Sequence, residues 1–402
     1  MKKRILFVIP NIINGGIKSS FLNLINEISH ENVDIDLLSF DDSGISDLPS
    51  FVNCLPSNVF LRMISQEQKK ANEKSRLFGL FRLFCGAWVK IFGQKYLFKL
   101  LFLSYKKLSG YDVAISFSQS PNRSLSGGYN EFVLYRVCAD QKVTFLHCDY
   151  KSVGINTPYS KYIYKRFDKI AAVSNGVKDV FLSECPFLRD KTYVVHNCHR
   201  ISNIRNLSLE DTVEYNKDVV NFVTVARIAM EKGHIRMLDV LDRLKKEGKN
   251  FCWHIVGGGK EPIVSELKAK IESLGLDRCV KMYGDQKNPY RFLRNADFLL
   301  LPSFHEAAPM VYGEAIILGI PVVTTNTISA MEFIGESGFG MVCNNDSEGL
   351  YNAIKEILDN PKKLDKYKTS INQISFTNAI AKKEFFDMLN TDINEKWGDN
   401  NY

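Results

Sequence analysis

The sequence predicts an α/β fold built from two parallel β-sheets. Short apolar runs such as RILFVI, VDIDLLSF, YDVAISF and KVTFLH alternate with helix-length amphipathic stretches, the pattern of parallel strands with crossover helices. The alternation stops in a charged, weakly periodic interval and then resumes as VVNFVTVA, FCWHIVGG, DFLLLPS and IPVVTT. A chain of 402 residues is long enough for two or three domains with a sizeable core. We therefore expect two α/β domains joined by a linker.

The charged interval sets the predicted domain boundaries. We expect a first domain at residues 1–199, a linker at 200–218 and a second domain at 219–371. The remaining tail, 372–402, is polar in balance and has the periodicity of a helix.

Composition excludes several classes of protein. The nine cysteines are scattered and never form a CxxC pair, so the sequence indicates neither a disulfide framework nor a zinc site. No uncharged apolar stretch reaches the roughly 20 residues that a membrane-spanning helix needs. The start, MKKRILFVIP, has too short an apolar run for a secretion signal. We therefore expect a cytoplasmic protein.

Basic residues are concentrated in one segment, 74–111. It contains eight Lys or Arg and no Asp or Glu, interleaved with Leu, Phe, Trp and Tyr. This pattern is typical of amphipathic helices that lie on an anionic bilayer surface. Ordinary amphipathic helices packed on the core remain the alternative. We expect no nucleic-acid partner, because no RNA- or DNA-binding motif accompanies the basic residues.

Three loops after predicted strands are candidate phosphate sites, because ligands of open parallel sheets bind beyond the carboxyl ends of the strands. An NGG turn containing Gly15 and Gly16 follows RILFVI, and VGGGKE follows the strand FCWHIV; each is weak evidence alone. In the third loop, TVARIAMEKGH, Arg227 and Lys232 lie five residues apart. Two such cations suit a diphosphate, although a pair of solvated surface cations would give the same pattern.

The stretch SFHEAAPMVYGEA carries two glutamates, Glu306 and Glu314. If Pro309 lies in the first helical turn, which it favours, the two glutamates are roughly 9 Å apart at ~1.5 Å per residue. That distance is about the reach from a hexose, past a diphosphate, to a ribose. Glutamates that complement a helix dipole are the alternative, and this explains an acid at 306 better than one at 314.

Taken in order along nearly the whole chain, these motifs resemble glycosyltransferase family 4. The family's phosphate motif, usually Gly-Arg-x-x-x-x-Lys-Gly, corresponds to ARIAMEKG at 226–233. Its signature of Pro-Ser, then Glu, seven residues and Glu corresponds to Pro302, Ser303, Glu306 and Glu314. The early GG turn, VSNGVKDVF and VVHN match in the expected order.

The resemblance implies the GT-B fold, in which two Rossmann-like domains face a central cleft, with the C-terminal helix packing back on the first domain. It implies a retaining hexosyltransferase that uses a nucleoside diphosphate sugar, with a UDP-sugar favoured, and a saccharide or lipid-linked saccharide acceptor. The setting would be bacterial capsule, exopolysaccharide or O-antigen (lipopolysaccharide) synthesis at the inner face of the cytoplasmic membrane. No cofactor or metal is expected, because Asp34 and Asp36 alternate within an apolar strand and form no metal clamp.

The resemblance also assigns roles to residues. Glu314 would take the ribose hydroxyls and Glu306 would contact the transferred sugar. His147, which ends the apolar run of TFLHCDY, would line the reaction centre, although a histidine there is more often a core residue; Asp149 is a candidate to orient it. The predicted catalytic residues are His147, Arg227, Lys232 and Glu306. The predicted donor-binding residues are Gly15, Gly16, Arg227, Lys232, Ala307, Ala308, Pro309 and Glu314.

Three positions depart from the commonest residues of the family. Ala226 replaces a glycine, Cys198 follows Asn197 where glycine is usual, and EAAP replaces EGFP. Because the last change lies where the transferred sugar would bind, the sugar itself is not predicted. Two alternatives stay open: a non-catalytic, membrane-associated GT-B-like protein, and a nicotinamide-dependent Rossmann enzyme, for which NIINGGIKSS lacks the GxGxxG spacing.

Overall fold

The computed structural model describes residues 2–12, 15–66 and 68–391, with the backbone alone described at 69, 70 and 74. Asn14 of the predicted NGG turn and the end of the predicted tail lie outside the described residues. The chain divides into two compact units. The first contains the residues up to Cys198 together with those from Asn378 onward, and the second is His199–Thr377.

The first unit contains a seven-stranded parallel sheet. Its strands are β1 (Lys3–Ile9), β2 (Val33–Ser39), β3 (Val52–Leu55), β4 (Leu108–Ser116), β5 (Val137–Leu146), β6 (Lys169–Ala172) and β7 (Thr192–Val194). Their order across the sheet is β3-β2-β1-β4-β5-β6-β7. The chain reverses its direction of winding between β1 and β4, and ligands of such sheets bind at the carboxyl ends of the strands beside that reversal.

Within the described residues, eight α-helices accompany these strands. They are α1 (Gly16–Ile28), α2 (Val59–Ser65), α3 (Gln68–Lys74), α4 (Arg76–Phe92), α5 (Lys95–Phe102), α6 (Tyr129–Arg136), α7 (Pro158–Lys165) and α8 (Asn175–Glu184). Local sequence starts several of them: the Thr157 and Ser160 side chains form a capping box at α7. On one side of the sheet, Phe40 packs against the rings of Phe102 and Phe132, at centroid distances of 6.0 and 5.6 Å. This aromatic core holds α5 and α6 against the strands.

The second unit contains a six-stranded parallel sheet. Its strands are β8 (Val220–Val225), β9 (Phe251–Val256), β10 (Val280–Met282), β11 (Phe298–Leu301), β12 (Val322–Thr325) and β13 (Gly340–Cys343). Their order is β10-β9-β8-β11-β12-β13, so the winding reverses between β8 and β11. The inner strands β8, β11 and β12 are buried on both faces, as the apolar runs predicted, whereas the edge strands β10 and β13 are partly exposed.

Seven α-helices accompany this sheet. They are α9 (Ile201–Ser208), α10 (His234–Lys246), α11 (Ile263–Ser273), α12 (Tyr290–Leu293), α13 (Met310–Ile317), α14 (Ser347–Asp359) and α15 (Lys363–Asn372). The stretch predicted as a linker, 200–218, includes α9, which packs against α12 and α13. Asn288 donates a hydrogen bond to the carbonyl of Leu207 at the end of α9, 2.7 Å away. This stretch is therefore part of the second unit in the structure.

The last helix, α16 (Ala379–Asn390), belongs to the first unit and packs against α1 and β7. The buried ammonium of Lys169 donates to the carbonyls of Met388 and Thr391 at the carboxyl end of α16. A cation at that end of a helix is favoured by the helix dipole. Glu384 in the middle of α16 accepts from the ring and the backbone N–H of His196. The C-terminal helix thus packs back on the first unit, as the resemblance implied.

Helix α4 exposes an unusual number of large apolar side chains. Its buried side carries Cys85 and Val89. The side chains that are at least 41% exposed are Leu77, Leu80, Phe81, Leu83, Phe84, Ile91 and Phe92. No helix in the described part of the chain combines the length and apolar character that crossing a membrane requires.

Candidate active site

The loops after β8 and β9 lie in direct backbone contact. The N–H of Ile228 donates to the carbonyl of Gly258 at 2.7 Å. Gly257 has φ 143°, and a Cβ at this position would lie 2.0 Å from the carbonyl oxygen of Ala226. A side chain at Gly257 would therefore push the two loops apart. The glycines of VGGGKE are explained by this approach, which positions the loop that carries Arg227.

The loop that carries Lys232 approaches the end of β11 just as closely. Gly233 has φ 71°, and a Cβ there would lie 1.9 Å from the carbonyl oxygen of Pro302. The N–H of Phe304 donates to the carbonyl of Glu231 at 2.8 Å. Only glycine adopts this backbone at this separation without strain. The Lys-Gly pair of the predicted phosphate motif thus brings Lys232 to the loop that follows β11.

Two predicted site residues meet there. The Nζ of Lys232 lies 2.7 Å from Oε1 of Glu306, and the same oxygen accepts from the hydroxyl of Ser303, also at 2.7 Å. The Glu306 side chain is only 8% exposed. A carboxylate buried to this extent is stable when it is paired and hydrogen-bonded, and both conditions are met here. The carboxylate of Glu306 and the ammonium of Lys232, from the loop after β8, are therefore fixed together at the end of β11.

Arg227 is placed differently from Lys232. Its side chain is 70% exposed, and its guanidinium lies 3.4 Å from Glu231 in a surface pair. Exposed pairs of this kind contribute little to stability. Arg227 is thus a surface cation at the end of β8 in this structure, and its part in binding an anion stays a prediction.

Glu314 lies on α13, where its Oε1 accepts from the hydroxyl of Tyr290 at 3.4 Å. Burial raises the pKa of Glu314 to about 7, and the hydrogen bond from Tyr290 opposes this rise. Near neutral pH the carboxyl therefore exists in both protonation states. Tyr290 carried no motif in the sequence. Its position just after the conspicuous dipeptide Asn288-Pro289 was the one available signal.

Pro309 lies one residue earlier than predicted. It occupies the N-cap position of α13 with an extended ψ of 124°, and the first helical residue is Met310. The expectation that Pro309 lies in the first helical turn is therefore wrong by one position. Ala307 and Ala308 immediately precede the cap and are partly exposed, at the positive end of the helix.

In the first unit, His147 follows β5 and lies among aromatic rings. Its ring centroid is 4.7 Å from that of Phe117 and 5.6 Å from that of Phe145. Its backbone N–H donates to Gln119 at 3.1 Å. Nε2 is buried and has no hydrogen-bond partner within the described ranges. Burial lowers the pKa of His147 to about 3, so the imidazole is neutral at physiological pH.

The predicted glycines lie at the same edge of this sheet as His147. Gly15 caps α1 and Gly16 begins it, after β1. The ring of Phe21 on α1 lies 5.6 Å from that of Phe117, which also contacts His147. The structure therefore places the ends of β1 and β5 around one aromatic cluster.

The acidic candidates of the first unit have structural partners. Asp149 accepts from the backbone N–H groups of Lys151 and Ser152, at 3.0 and 3.1 Å, and so caps its own turn. It is not placed to orient His147 through these bonds. Asp36 accepts from Tyr111 at 2.7 Å and pairs with Arg4 at 3.1 Å. Asp36 is thus held within the first sheet, whereas Asp34 lies at the surface, 3.3 Å from Lys2.

The predicted site residues of the second unit all lie within residues 210–373: Arg227, Lys232, Glu306 and Glu314. This stretch matches the family model described as glycosyl transferases group 1. Residues 210–373 are thus similar to that family. The match confirms the resemblance drawn from the motifs and favours a glycosyltransferase over the nicotinamide-dependent alternative.

Curated glycosyltransferases align with parts of the chain. The N-acetylgalactosamine-N,N'-diacetylbacillosaminyl-diphospho-undecaprenol 4-alpha-N-acetylgalactosaminyltransferase of Campylobacter jejuni is 26% identical over 67% of this chain and 73% of its own length. A lipopolysaccharide 1,6-galactosyltransferase of Salmonella typhimurium is 29% identical over 39% of this chain and 43% of its own. An uncharacterised glycosyltransferase of Methanocaldococcus jannaschii is 28% identical over 41% of each chain. The alignments span less than half the length of the last two relatives.

Solved structures resemble the whole chain. HepE of Anabaena, in a crystal structure with UDP, has 18% identity and a TM-score of 0.62, and the alignment covers 99% of both chains. At this identity the likeness concerns the fold alone. It confirms the predicted fold class of two Rossmann-like α/β domains.

Proposed function

We propose that this protein is a retaining glycosyltransferase of bacterial surface-polysaccharide synthesis. It would move a hexose from a nucleoside diphosphate sugar, with a UDP-sugar favoured, to a lipid-linked saccharide. The observation that carries the proposal is the ion pair of Lys232 and Glu306 at the end of β11, inside the segment that matches the family model. A fixed ammonium can pair with the phosphate of a glycosyl phosphate, and the carboxylate beside it can accept hydrogen bonds from the sugar hydroxyls.

The donor would bind at the carboxyl ends of β8 and β11. Lys232 and Arg227 would neutralise the diphosphate, the arginine through its planar fork and the lysine as a compact charge. Glu314 would accept hydrogen bonds from the ribose hydroxyls, and Glu306 would contact the transferred hexose. No metal or other cofactor is part of the proposal, because the two cations supply the positive charge that the diphosphate requires.

In the proposed reaction, the acceptor hydroxyl attacks the anomeric carbon on the same face of the sugar from which the diphosphate leaves. The bond between the anomeric carbon and the phosphate oxygen breaks, and that oxygen takes the proton of the hydroxyl. Arg227 and Lys232 stabilise the charge that grows on the diphosphate, which is where most of the rate enhancement would arise. His147 would contribute to the acceptor side as a neutral hydrogen-bonding group. The turn of Gly15 and Gly16, predicted to bind the donor, lies at the same edge of the first sheet.

The lipid-linked acceptor is supported by the Campylobacter relative, whose name specifies a diphospho-undecaprenol saccharide. It is also supported by the exposed face of α4. Leu77, Phe84, Ile91 and their neighbours recur at helical spacing on one side of α4, opposite the buried Cys85 and Val89. A helix of this kind lies in the plane of a bilayer surface with its apolar face inserted. We propose that the protein is peripheral on the cytoplasmic membrane through this segment.

A donor screen tests the catalytic proposal. Purified protein is incubated with UDP-, GDP- and ADP-sugars and a lipid-linked saccharide, and both nucleotide release and the anomeric configuration of the product are measured. We expect release with one class of donor and a product that keeps the donor's anomeric configuration. An inverted product would contradict the retaining mechanism. If no donor is consumed, the non-catalytic alternative is correct.

Vesicle co-sedimentation tests the membrane proposal. Wild-type protein should bind phosphatidylglycerol vesicles, and each basic residue at the surface should contribute about 1 kcal/mol to the binding free energy. Salt should weaken this electrostatic contribution. The variant in which Lys90, Lys95, Lys99 and Lys106 are replaced by Gln should therefore bind less tightly at low salt. Phe84→Ser with Ile91→Ser should reduce binding at both low and high salt, because inserted apolar area is not screened.

The controls for the membrane test are Phe187→Ser and Ile380→Ser, which remove exposed apolar side chains elsewhere in the first unit, 56% and 70% exposed. These should leave vesicle binding unchanged. Wild-type protein that stays in the supernatant at low salt would overturn the membrane proposal. Transfer to a short soluble acceptor should be nearly unchanged in every variant of this set.

A further inference from the structure

Arg236 holds the loop that carries Glu306. It lies on α10, four residues after Lys232. Its Nε and Nη2 donate to the carbonyl of Pro302, at 3.0 and 2.6 Å, and Nη2 also donates to the carbonyl of Ser303, at 3.0 Å. One guanidinium therefore fixes two successive peptide groups directly after β11.

The same guanidinium fixes the next residue through a second side chain. Nη2 of Arg236 donates to Oδ1 of Asn345 at 2.8 Å, and Nδ2 of Asn345 donates to the carbonyl of Phe304 at 2.9 Å. The guanidinium also stacks on the ring of Phe304, 3.8 Å from its centroid. A planar cation with several N–H groups can make all these contacts at once, whereas an ammonium cannot.

Other contacts hold the loop from its remaining sides. The hydroxyl of Thr325 on β12 donates to the carbonyl of Ser303 at 2.5 Å. The N–H of Phe304 donates to Glu231, as described above. The backbone groups of residues 302–304 are thus hydrogen-bonded to residues of α10, of β12 and of the loop that carries Lys232. Glu306 follows two residues later and keeps its 2.7 Å contact with Lys232.

We propose that Arg236 is a positioning residue for the proposed transfer reaction. It touches no substrate in this proposal. It fixes the backbone of residues 302–306, and through it the positions of Glu306 and Lys232. Its effect on transfer rests on the proposed function, whereas its effect on the loop does not.

The expected size of the effect follows from the geometry that catalysis requires. A misplacement of about 1 Å in a catalytic group can cost on the order of 100-fold in rate. Glu306 Oε1 accepts from both Lys232 and Ser303, so a shift of the loop disturbs the ammonium as well as the carboxylate. We therefore expect a change in turnover larger than the change in donor affinity.

A matched control lies on the same helix. Arg243, two turns farther along α10, stacks on Tyr351 at 3.4 Å and pairs with Glu348 at 2.7 Å. Like Arg236 it stacks on an aromatic ring, but its ion-pair partners are the carboxylates of Glu348 on α14 and Glu247, not the loop after β11. Arg243→Gln therefore reports what the loss of one stacked, paired arginine does to the unit.

Hydrogen exchange of the full-length protein tests the positioning role without any donor or acceptor. In Arg236→Gln, peptides that cover residues 302–306 should exchange about 10-fold faster or more, because the loop opens locally more often. Peptides from α10 and β8 should be unchanged, and Arg243→Gln should leave residues 302–306 protected. Unchanged exchange of this loop in Arg236→Gln would overturn the proposal.

Steady-state kinetics then test the consequence for transfer. Arg236→Gln should lower kcat about 10- to 100-fold and change the donor KM less than about 3-fold. Arg236→Lys keeps the charge but loses the planar fork, so it should restore little. Full recovery of kcat in Arg236→Lys would overturn the proposal. So would a loss of kcat in Arg243→Gln equal to that in Arg236→Gln, or faster loop exchange with unchanged kcat in Arg236→Gln. If wild-type protein transfers no sugar, the proposed function fails, while the exchange result still decides whether Arg236 holds the loop.

Discussion

The polar side chains at the carboxyl edges of the two sheets differ in charge and in surroundings. In the second unit, Lys232, Glu306 and Ser303 form a charged network that is already hydrogen-bonded. In the first unit, His147 lies between aromatic rings, is uncharged, and has an Nε2 without a partner among the residues described. Fixed charge suits a diphosphate, whereas a neutral ring in apolar surroundings suits a sugar hydroxyl. The difference supports donor binding in the second unit and acceptor binding in the first.

The largest effect is expected at the charged edge. Lys232→Ala should reduce turnover about 100- to 1,000-fold, the scale of losing one preorganised charge-stabilising group. It should also destabilise the protein by about 1–3 kcal/mol, because Glu306 is left buried without its cation. Arg227→Ala should reduce turnover on the same scale but leave stability unchanged, since its pair is exposed. Transfer rates and urea unfolding of both variants measure these effects.

Removing the partner carboxylate as well provides the control for Lys232. Lys232→Ala combined with Glu306→Gln should recover most of the lost stability and none of the turnover. If Lys232→Ala and Arg227→Ala both keep more than half of wild-type turnover, the diphosphate binds elsewhere and the contrast between the two edges has no functional meaning.

An intermediate effect is expected at Glu314. Glu314→Gln should weaken binding of the free nucleoside diphosphate by about 1.5–3 kcal/mol, the value of hydrogen bonds to a charged group. Glu306→Gln should chiefly slow sugar transfer instead. Calorimetry with the nucleotide alone separates the two residues. Equal losses of nucleotide affinity would mean that their assigned roles are wrong.

The raised pKa of Glu314 also makes stability depend on pH. The folded-state pKa is about 7, above the ordinary value of 4.5, so the folded protein holds a proton that the unfolded chain has released. The stability that protonated Glu314 gives the folded state is fully present below pH 4.5 and is lost as pH rises through 7. Glu314→Gln should therefore match the wild type near pH 4.5 and exceed its unfolding free energy by about 1–3 kcal/mol at pH 8. Denaturant unfolding at the two pH values measures this, and an unchanged difference would show that the carboxyl is not buried in solution.

The sequence predicted most strands because their apolar runs stand out against amphipathic helices. RILFVI became β1 and VVNFVTVA became β8. It missed β3 and β13, whose sequences VNCL and GMVC are short and partly exposed edge strands. Four residues of mixed polarity carry no periodic signal, so only pairing with a neighbouring strand identifies them.

The site was predicted less completely than the fold. The spacing of charges after strands found Lys232 and Glu306, but their contact joins residues 74 positions apart and required the structure. Arg236 was missed because an arginine on an amphipathic helix has the pattern of a solvated side chain. Its partners are backbone carbonyls, which leave no trace in the sequence. The available signal was its place four residues after Lys232.

The smallest effect is expected at the neutral edge. His147→Phe keeps an aromatic ring against Phe117 and Phe145 but removes Nε2. If this nitrogen makes one neutral hydrogen bond to the acceptor, its loss should cost about 0.5–1.5 kcal/mol, or up to roughly 10-fold in transfer. Affinity for the free nucleoside diphosphate should not change. A nucleotide affinity that falls with transfer would place His147 in the donor site and remove the contrast between the two edges.

The pH profile tests whether His147 acts as a neutral group. Because burial among the aromatic rings lowers its pKa to about 3, His147 stays uncharged between pH 5.5 and 8.5. Wild type and His147→Phe should therefore show parallel profiles of transfer rate across this range, displaced by a constant factor. A wild-type rate that changes with a pKa of 6 to 7, together with a flat profile in His147→Phe, would show that the imidazole titrates. His147 would then be a charged group like Lys232, and the distinction between a charged donor edge and a neutral acceptor edge would be wrong.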